Sequence, residues 1–284
     1  TEHLANLIGH TAGIPMFDYF EASISRLTRY HLNVESSPLT TDYSSRTILI
    51  GETPEADVYV RNQVRGAEQA GIPFEQLNWP ADISQDECKQ RIIGMNDDLT
   101  VLGIILQRPI PAHINVRSLQ SAVHPLKDVE GMNPASIGNI VYNDVALAPC
   151  TAAAAVELIH ATGLPMEGLE VVMIGHSEIV GKPAAMMLMA EGATVTVCHH
   201  MTRSVAMHSR RADVVVVAVG KPNLIGPDMI KPGAAVIDIG INLIKDADGN
   251  ARIVGDVDTD AVLPVAGWME AKPDFDIPFE EVDE

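Results

Sequence analysis

Short runs of aliphatic and β-branched residues alternate along this chain with longer segments whose apolar positions recur every three or four residues. The second half shows this most clearly. Residues 171–174 (VVMI) run into Gly175, Ser177 and Gly181 and then into AAMMLMAEG, which predicts a buried strand, a glycine turn and a helix N-terminus. Three further runs, 193–198 (ATVTVC), 212–220 (ADVVVVAVG) and 234–240 (AAVIDIG), predict strands. The runs are rich in β-branched residues and separated by helical or turn segments, which describes parallel strands covered on both faces.

The first half repeats the theme. Phe17, Phe20, Ile24 and Leu27 fall at helical spacing and predict a helix over 17–31. A strand is expected at 47–51 (TILIG), a helix at 58–71 stopped by Gly71-Ile72-Pro73, and a second helix at 84–96. Residues 101–106 (VLGIIL) read as a strand, broken by Arg108-Pro109-Ile110-Pro111. A proline- and glycine-punctuated loop spans 124–138, and a helix at 151–161 bridges the halves. Beyond Asp256 the strand signal fades, and 271–284 reads as an acidic extended tail.

The pattern predicts an α/β chain. An N-terminal α/β substrate domain covers 1–148, a Rossmann-like parallel-sheet cofactor domain covers 149–265, and an acidic C-terminal tail covers 266–284. A cleft between the domains is the expected small-molecule site. Gly175, Gly220 and Gly240 each close a predicted strand, so all three belong at carboxyl ends, where such sheets bind ligands. The helix start after Gly175 suits a phosphate, because its first N–H groups lack partners and carry partial positive charge. The spacing is G-x-S-x-x-x-G rather than G-x-G-x-x-G.

Composition narrows the partners. A net charge of −19 repels nucleic acid and anionic lipid, so neither is expected as a partner. Three scattered cysteines show no metal spacing, which points to a reducing, cytoplasmic setting and no metal site. The N-terminus lacks the pattern of a signal peptide, and no apolar run approaches a membrane span.

An ordered set of segments then carries a resemblance. ILIGETPEADVYV, GIILQRPIPAHI, HPLKDVEGMNPASIG, APCT, VVMIGHSEIVGKP, TVTVCHHMT, ADVVVVAVGKP, KPGAAVIDIGIN and GDV follow one another between roughly 47 and 256. Together they resemble the methylenetetrahydrofolate dehydrogenase/cyclohydrolase family. The resemblance implies oxidation of 5,10-methylenetetrahydrofolate with hydride transfer to NADP or NAD, and in most members hydrolysis of the methenyl product. It also implies a homodimer, with tetrahydrofolate lying in the cleft.

Residue by residue, the resemblance places Tyr59 against the pterin, with Gln107, Asp128 and Glu130 positioning substrate and loop. Gln63 stands where the family has its cyclohydrolase lysine. A lysine can relay protons to water attacking a cation and a glutamine cannot, so hydrolysis is expected to be weak or absent. Arg65 is no substitute, since a guanidinium is a poor base. Glu130 replaces the family's second loop aspartate.

On the cofactor side the resemblance assigns Gly175, His176, Ser177, Ile179, Val180, His200, Val219, Gly220, Ile239 and Gly240. His176 and His200 replace an arginine and a serine, and no acidic residue appears that would select NAD. NAD and NADP therefore both stay open. His199-His200 is not expected to bind metal, because neighbours on a strand point opposite ways. The family's glycine-rich C-terminal loop is reduced here to Pro264-Val265-Ala266-Gly267-Trp268-Met269. The alternatives are a dehydrogenase for another small one-carbon or amine substrate, or a non-catalytic folate- or nucleotide-binding paralogue.

Overall fold

A computed structural model describes residues 44–52, 54–69, 71–145, 147–245 and 251–269. The helix expected over 17–31 and the acidic segment 271–284 lie outside these residues. The chain divides into two compact units. Among the described residues one comprises 44–157 with Ser177–Gly192, the other Leu158–His176 with 193–269.

In the first unit β1 (Ser44–Ile50), α1 (Pro54–Gln69), β2 (Phe74–Trp79), α2 (Gln85–Asp97) and β3 (Val101–Leu106) follow in order. The three strands are parallel in the order β2-β1-β3. Ile48, Ile50, Ile104 and Leu106 are buried with Cys88, Ile92 and Met95 of α2 in one core. Helix α2 starts where the Ser84 hydroxyl accepts from Glu87 N–H at 3.2 Å, with Asp86 and Glu87 in its positive first turn. Strand β2 (FEQLNW) was not expected, since its polar residues hide the run. The unit continues through α3 (Val116–Gln120), a 3₁₀ turn (Pro125–Lys127) and α4 (Pro134–Val141). Helix α5 (Cys150–Ala161) contains the division between the units.

The second unit is built on five parallel strands: β4 (Glu170–Ile174), β5 (Thr194–Cys198), β6 (Val214–Val217), β7 (Ala235–Asp238) and β10 (Trp268–Met269). Their order is β10-β7-β6-β4-β5. Central β6 is four valines, all fully buried, as a strand covered on both faces requires. Helices α6 (Gly181–Ala190), a member of the first unit, and α7 (Val205–Ser209) connect strands along the chain. The fold class is the expected one, a mixed α/β chain with a Rossmann-like parallel sheet.

The fading of strand signal after Asp256 is corrected in one place. Trp268 and Met269 pair with Ala235 and Val236 to make the sheet's edge, after a short helix α8 (Thr259–Val262). An antiparallel pair, β8 (Asn242–Lys245) with β9 (Ala251–Val254), was also not expected. Among the described residues no helix is long and apolar enough to cross a membrane.

Candidate active site

Within the first unit Gln63, Gln107 and Glu130 gather around the end of β3. Tyr59 and Gln63 lie one turn apart on α1. Gln107 follows β3 and extends its ladder, its N–H donating to Ile48 O at 2.9 Å. The Gln107 side chain is buried, and its Nε2 donates to Thr47 Oγ1 at 2.8 Å and to Gln63 Oε1 at 2.5 Å. Thr47, Gln63 and Gln107 thus form a continuous row of neutral polar groups, none able to exchange a proton near neutral pH. Thr47 was missed in the sequence, although a hydroxyl in the buried strand TILIG was the available signal.

The loop 124–136 sorts its charged residues by task. Lys127 Nζ donates to Met95 O at 2.8 Å and Asp98 O at 2.6 Å, closing the carboxyl end of α2. Burial pushes the Lys127 amine down, against the pull of Asp98 and Asp97. Asp128 is buried, and its Oδ2 accepts from Asn133 N–H at 2.6 Å and Ser136 Oγ at 2.9 Å. Asn133 in turn caps α4, accepting from Ala135 N–H at 2.7 Å. Lys127 and Asp128 therefore hold the loop.

Glu130 is the half-buried carboxyl of this region, with Oε2 accepting from Leu106 N–H at 3.1 Å. Desolvation pushes its pKa up to about 7; the Leu106 N–H pulls the other way and nearby Asp128 adds to the rise. At neutral pH the group is thus poised between acceptor and donor. The shift carries a stability consequence. The folded state binds this proton more tightly than the unfolded chain, so the favourable contribution is complete below about 4.5 and is lost as pH rises towards about 7. Glu130→Gln keeps an acceptor for Leu106 N–H and cannot ionise. It should melt about 3–6 °C above the parent at pH 8 and with it below pH 4.5. Thermal melts across that range check this, and a difference independent of pH would refute it.

In the second unit the other candidates line the carboxyl end of the sheet. Gly175 follows β4 with φ at +127°, and its N–H donates to Cys198 O at 2.9 Å. A Cβ there would overlap the Ala218 carbonyl oxygen, so only glycine lets the chain leave the strand along this path. Val219 and Gly220 follow β6 by one residue, and Ile239 and Gly240 follow β7 directly. His176 and His200 are joined by His199. The ring centroids lie 4.8 Å apart for His176–His199, 5.9 Å for His176–His200 and 5.8 Å for His199–His200. The expectation that His199 and His200 point opposite ways is corrected, because β5 ends at Cys198 and the pair sits in a turn. His199 Nδ1 accepts from Met201 N–H at 3.2 Å, which leaves Nε2 as the N–H of the neutral ring. Among the described residues no group of three His, Cys, Asp or Glu is placed to hold a metal ion.

Ser177, Ile179 and Val180 belong to the first unit, at the start of α6. The Ser177 hydroxyl accepts from Val180 N–H at 3.1 Å and Gly181 N–H at 3.5 Å, so the chain itself occupies two helix-start donors. Glu178 pairs with Arg117 of α3.

Sequence reasoning left Asp256 and Asp238 out of the site. Asp256 Oδ2 accepts from Val219 N–H at 2.6 Å and Gly220 N–H at 2.9 Å, and its Oδ1 accepts from Lys221 N–H at 2.7 Å. The segment GDV was visible as a motif, but a side chain captured by distant backbone has no periodic signature.

Residues 34–130 match the tetrahydrofolate dehydrogenase/cyclohydrolase catalytic domain, and residues 149–274 match the NAD(P)-binding domain of the same enzymes. "Bifunctional protein FolD 3" of Roseobacter denitrificans is 78% identical over 227 residues, 80% of this chain and 78% of the relative. The solved bifunctional FolD of Campylobacter jejuni superposes with a TM-score of 0.77 at 31% identity, covering 89% of this chain and 86% of that one. The Trypanosoma brucei FolD, solved with NADP and an inhibitor, gives 0.76 at 31% identity, covering 89% and 85%. The chain belongs to the tetrahydrofolate dehydrogenase/cyclohydrolase family.

Proposed function

We propose that this chain oxidises 5,10-methylenetetrahydrofolate to the methenyl form with NADP as hydride acceptor, and that it hydrolyses the product weakly or not at all. Family membership supports the dehydrogenase reading. The observation that carries the finer one is the bond from Gln107 Nε2 to Gln63 Oε1. Relatives named bifunctional perform two reactions, and only the second needs a proton relay.

Hydride transfer asks little of the protein beyond alignment. When bound, the nicotinamide accepts a hydride from a carbon whose flanking nitrogen supplies the electron push. Tyr59 and Glu130 would hold the pterin, with Gln107 and Gln63 fixing that wall of the site and Asp128 its loop. Hydrolysis, in contrast, requires water to lose a proton beside the methenyl carbon. The amide row of Thr47, Gln107 and Gln63 cannot take it.

The residues present fit a nucleotide bearing an extra phosphate. Three imidazoles collect at the ends of β4 and β5, and His199-His200-Met201-Thr202-Arg203 contains no carboxylate to bind a ribose diol. Gly220 has φ at +64° and open space around the position a Cβ would take, leaving its face free.

One assay tests the proposal. The purified chain is mixed with methylenetetrahydrofolate and NADP or NAD, and reduced nicotinamide and methenyl absorbance are followed together. Both signals should rise, faster with NADP, and the methenyl band should then decay at the buffer rate. Decay well above that rate defeats the dehydrogenase-only reading, and no reduction with either nucleotide defeats the enzyme.

A further inference from the structure

Asp256 is fully buried, yet its carboxylate receives four hydrogen bonds. Three come from the consecutive amides of Val219, Gly220 and Lys221, and the fourth from Asn242 Nδ2 at 2.9 Å. Consecutive amides turned onto one anion form the kind of backbone nest that binds phosphate in other proteins. Here the anion is the chain's own.

The β7 exit is tied to the same carboxylate. A Cβ on Gly240 would overlap Asp256 Cγ, so the backbone at 240 lies directly against it. Asp238 answers from the other side: its Oδ1 accepts from Gly240 N–H at 2.9 Å and Asp256 N–H at 3.1 Å, and its Oδ2 from Val257 N–H at 2.9 Å. A Cβ on Gly255 would overlap the Asp238 carboxylate. Two aspartates and two glycines thus interlock three separate stretches, 219–221, 238–240 and 255–257.

We propose that Asp256 is the positioning residue of the cofactor site. It shapes the exit of β6 by accepting from its amides and the exit of β7 by packing against Gly240, so that the 219–221 nest is closed to the nucleotide's phosphates. The cofactor then meets a rim set in advance, and its diphosphate is left to the glycine turn after β4. This role rests on the nucleotide-binding reading given above.

The test begins with the unaltered protein. Amides 219–221 should be protected from hydrogen–deuterium exchange without nucleotide, and NADP should add little. Protection that appears only with NADP would mean these amides serve the ligand, and the proposal is lost. Asp256→Asn presents an NH₂ to backbone donors, and Asp256→Ala removes the acceptor altogether. In each, the KM for nucleotide should rise about tenfold or more while the KM for folate and the kcat at saturating nucleotide stay within about threefold. Folded variants with parental nucleotide KM overturn the role, as do variants whose two KM values rise in parallel with a falling Tm. If the unaltered chain binds no nucleotide, the nucleotide-binding reading itself has failed and takes the role with it. Loss confined to the variants' expected split leaves that reading standing.

Discussion

Gln63→Lys should raise methenyltetrahydrofolate hydrolysis about a hundredfold over the parent chain, within the range that a positioned acid or base supplies. The new amine would replace an amide oxygen that now accepts from Gln107 Nε2 at 2.5 Å. Gln107 can meet an ammonium by turning its own carbonyl towards it, since an amide presents donor and acceptor on one planar group. Thr47 Oγ1, its other partner at 2.8 Å, also works in either role. The polar row therefore accepts lysine without losing its connections. Hydride transfer should change by less than about threefold, because it needs no proton relay. Gln63→Met is the control for shape, and it should leave hydrolysis at the parental level. Stopped-flow decay of the methenyl band reads all three proteins. If the lysine variant decays no faster than buffer, the barrier lies elsewhere and Gln63 is not what limits the second reaction.

Gly175→Ala should be strongly destabilising. Its φ of +127° is a region that side chains avoid, and the added carbon would press on the Ala218 carbonyl, part of the backbone beside β6. Backbone cannot swing aside as a side-chain tip can. A loss of about 2–4 kcal/mol is expected, and a fall in melting temperature of about 5–15 °C. Whatever folds should bind NADP poorly, because the strand exit would leave along another path. Melting curves with and without NADP measure both effects. A variant that melts with its parent and is stabilised equally by NADP would show that the turn relaxes freely.

How legible was all this beforehand? The buried strands announced themselves: VVMI and VVVV are continuous apolar runs, and burial on both faces is what such runs demand. Strand β2 did not, because FEQLNW sits beside β1 with three of its six residues turned outwards and polar. The β8–β9 pair escaped for the related reason that NLIK and ARIV are short and each carries a charge. Strand β10 is two residues long, held by register with β7 rather than by any preference of Trp268 or Met269.

The site was legible in the same uneven way. Resemblance pointed to Gln63, Gln107 and Glu130. It could not say that Gln107 would bond to Gln63 and Thr47 at once, or that Glu130 would reach Leu106 N–H. Such pairings join residues 24 to 60 positions apart, and only the folded chain brings them together. Lys127 and Asp128 stand side by side in the segment HPLKDVEG. The structure separates them by target, α2 for one and the 133–136 turn for the other.

The contact between Gly240 and Asp256 has a consequence for how such a chain can change over generations. Any larger residue at 240 collides with the carboxylate, while removing the carboxylate first leaves the amides of 219–221 without the acceptor they share. Each single step descends into a fitness valley. The two positions are therefore expected to be inherited as a unit, and a lineage that altered one would have to rebuild the other in the same stroke.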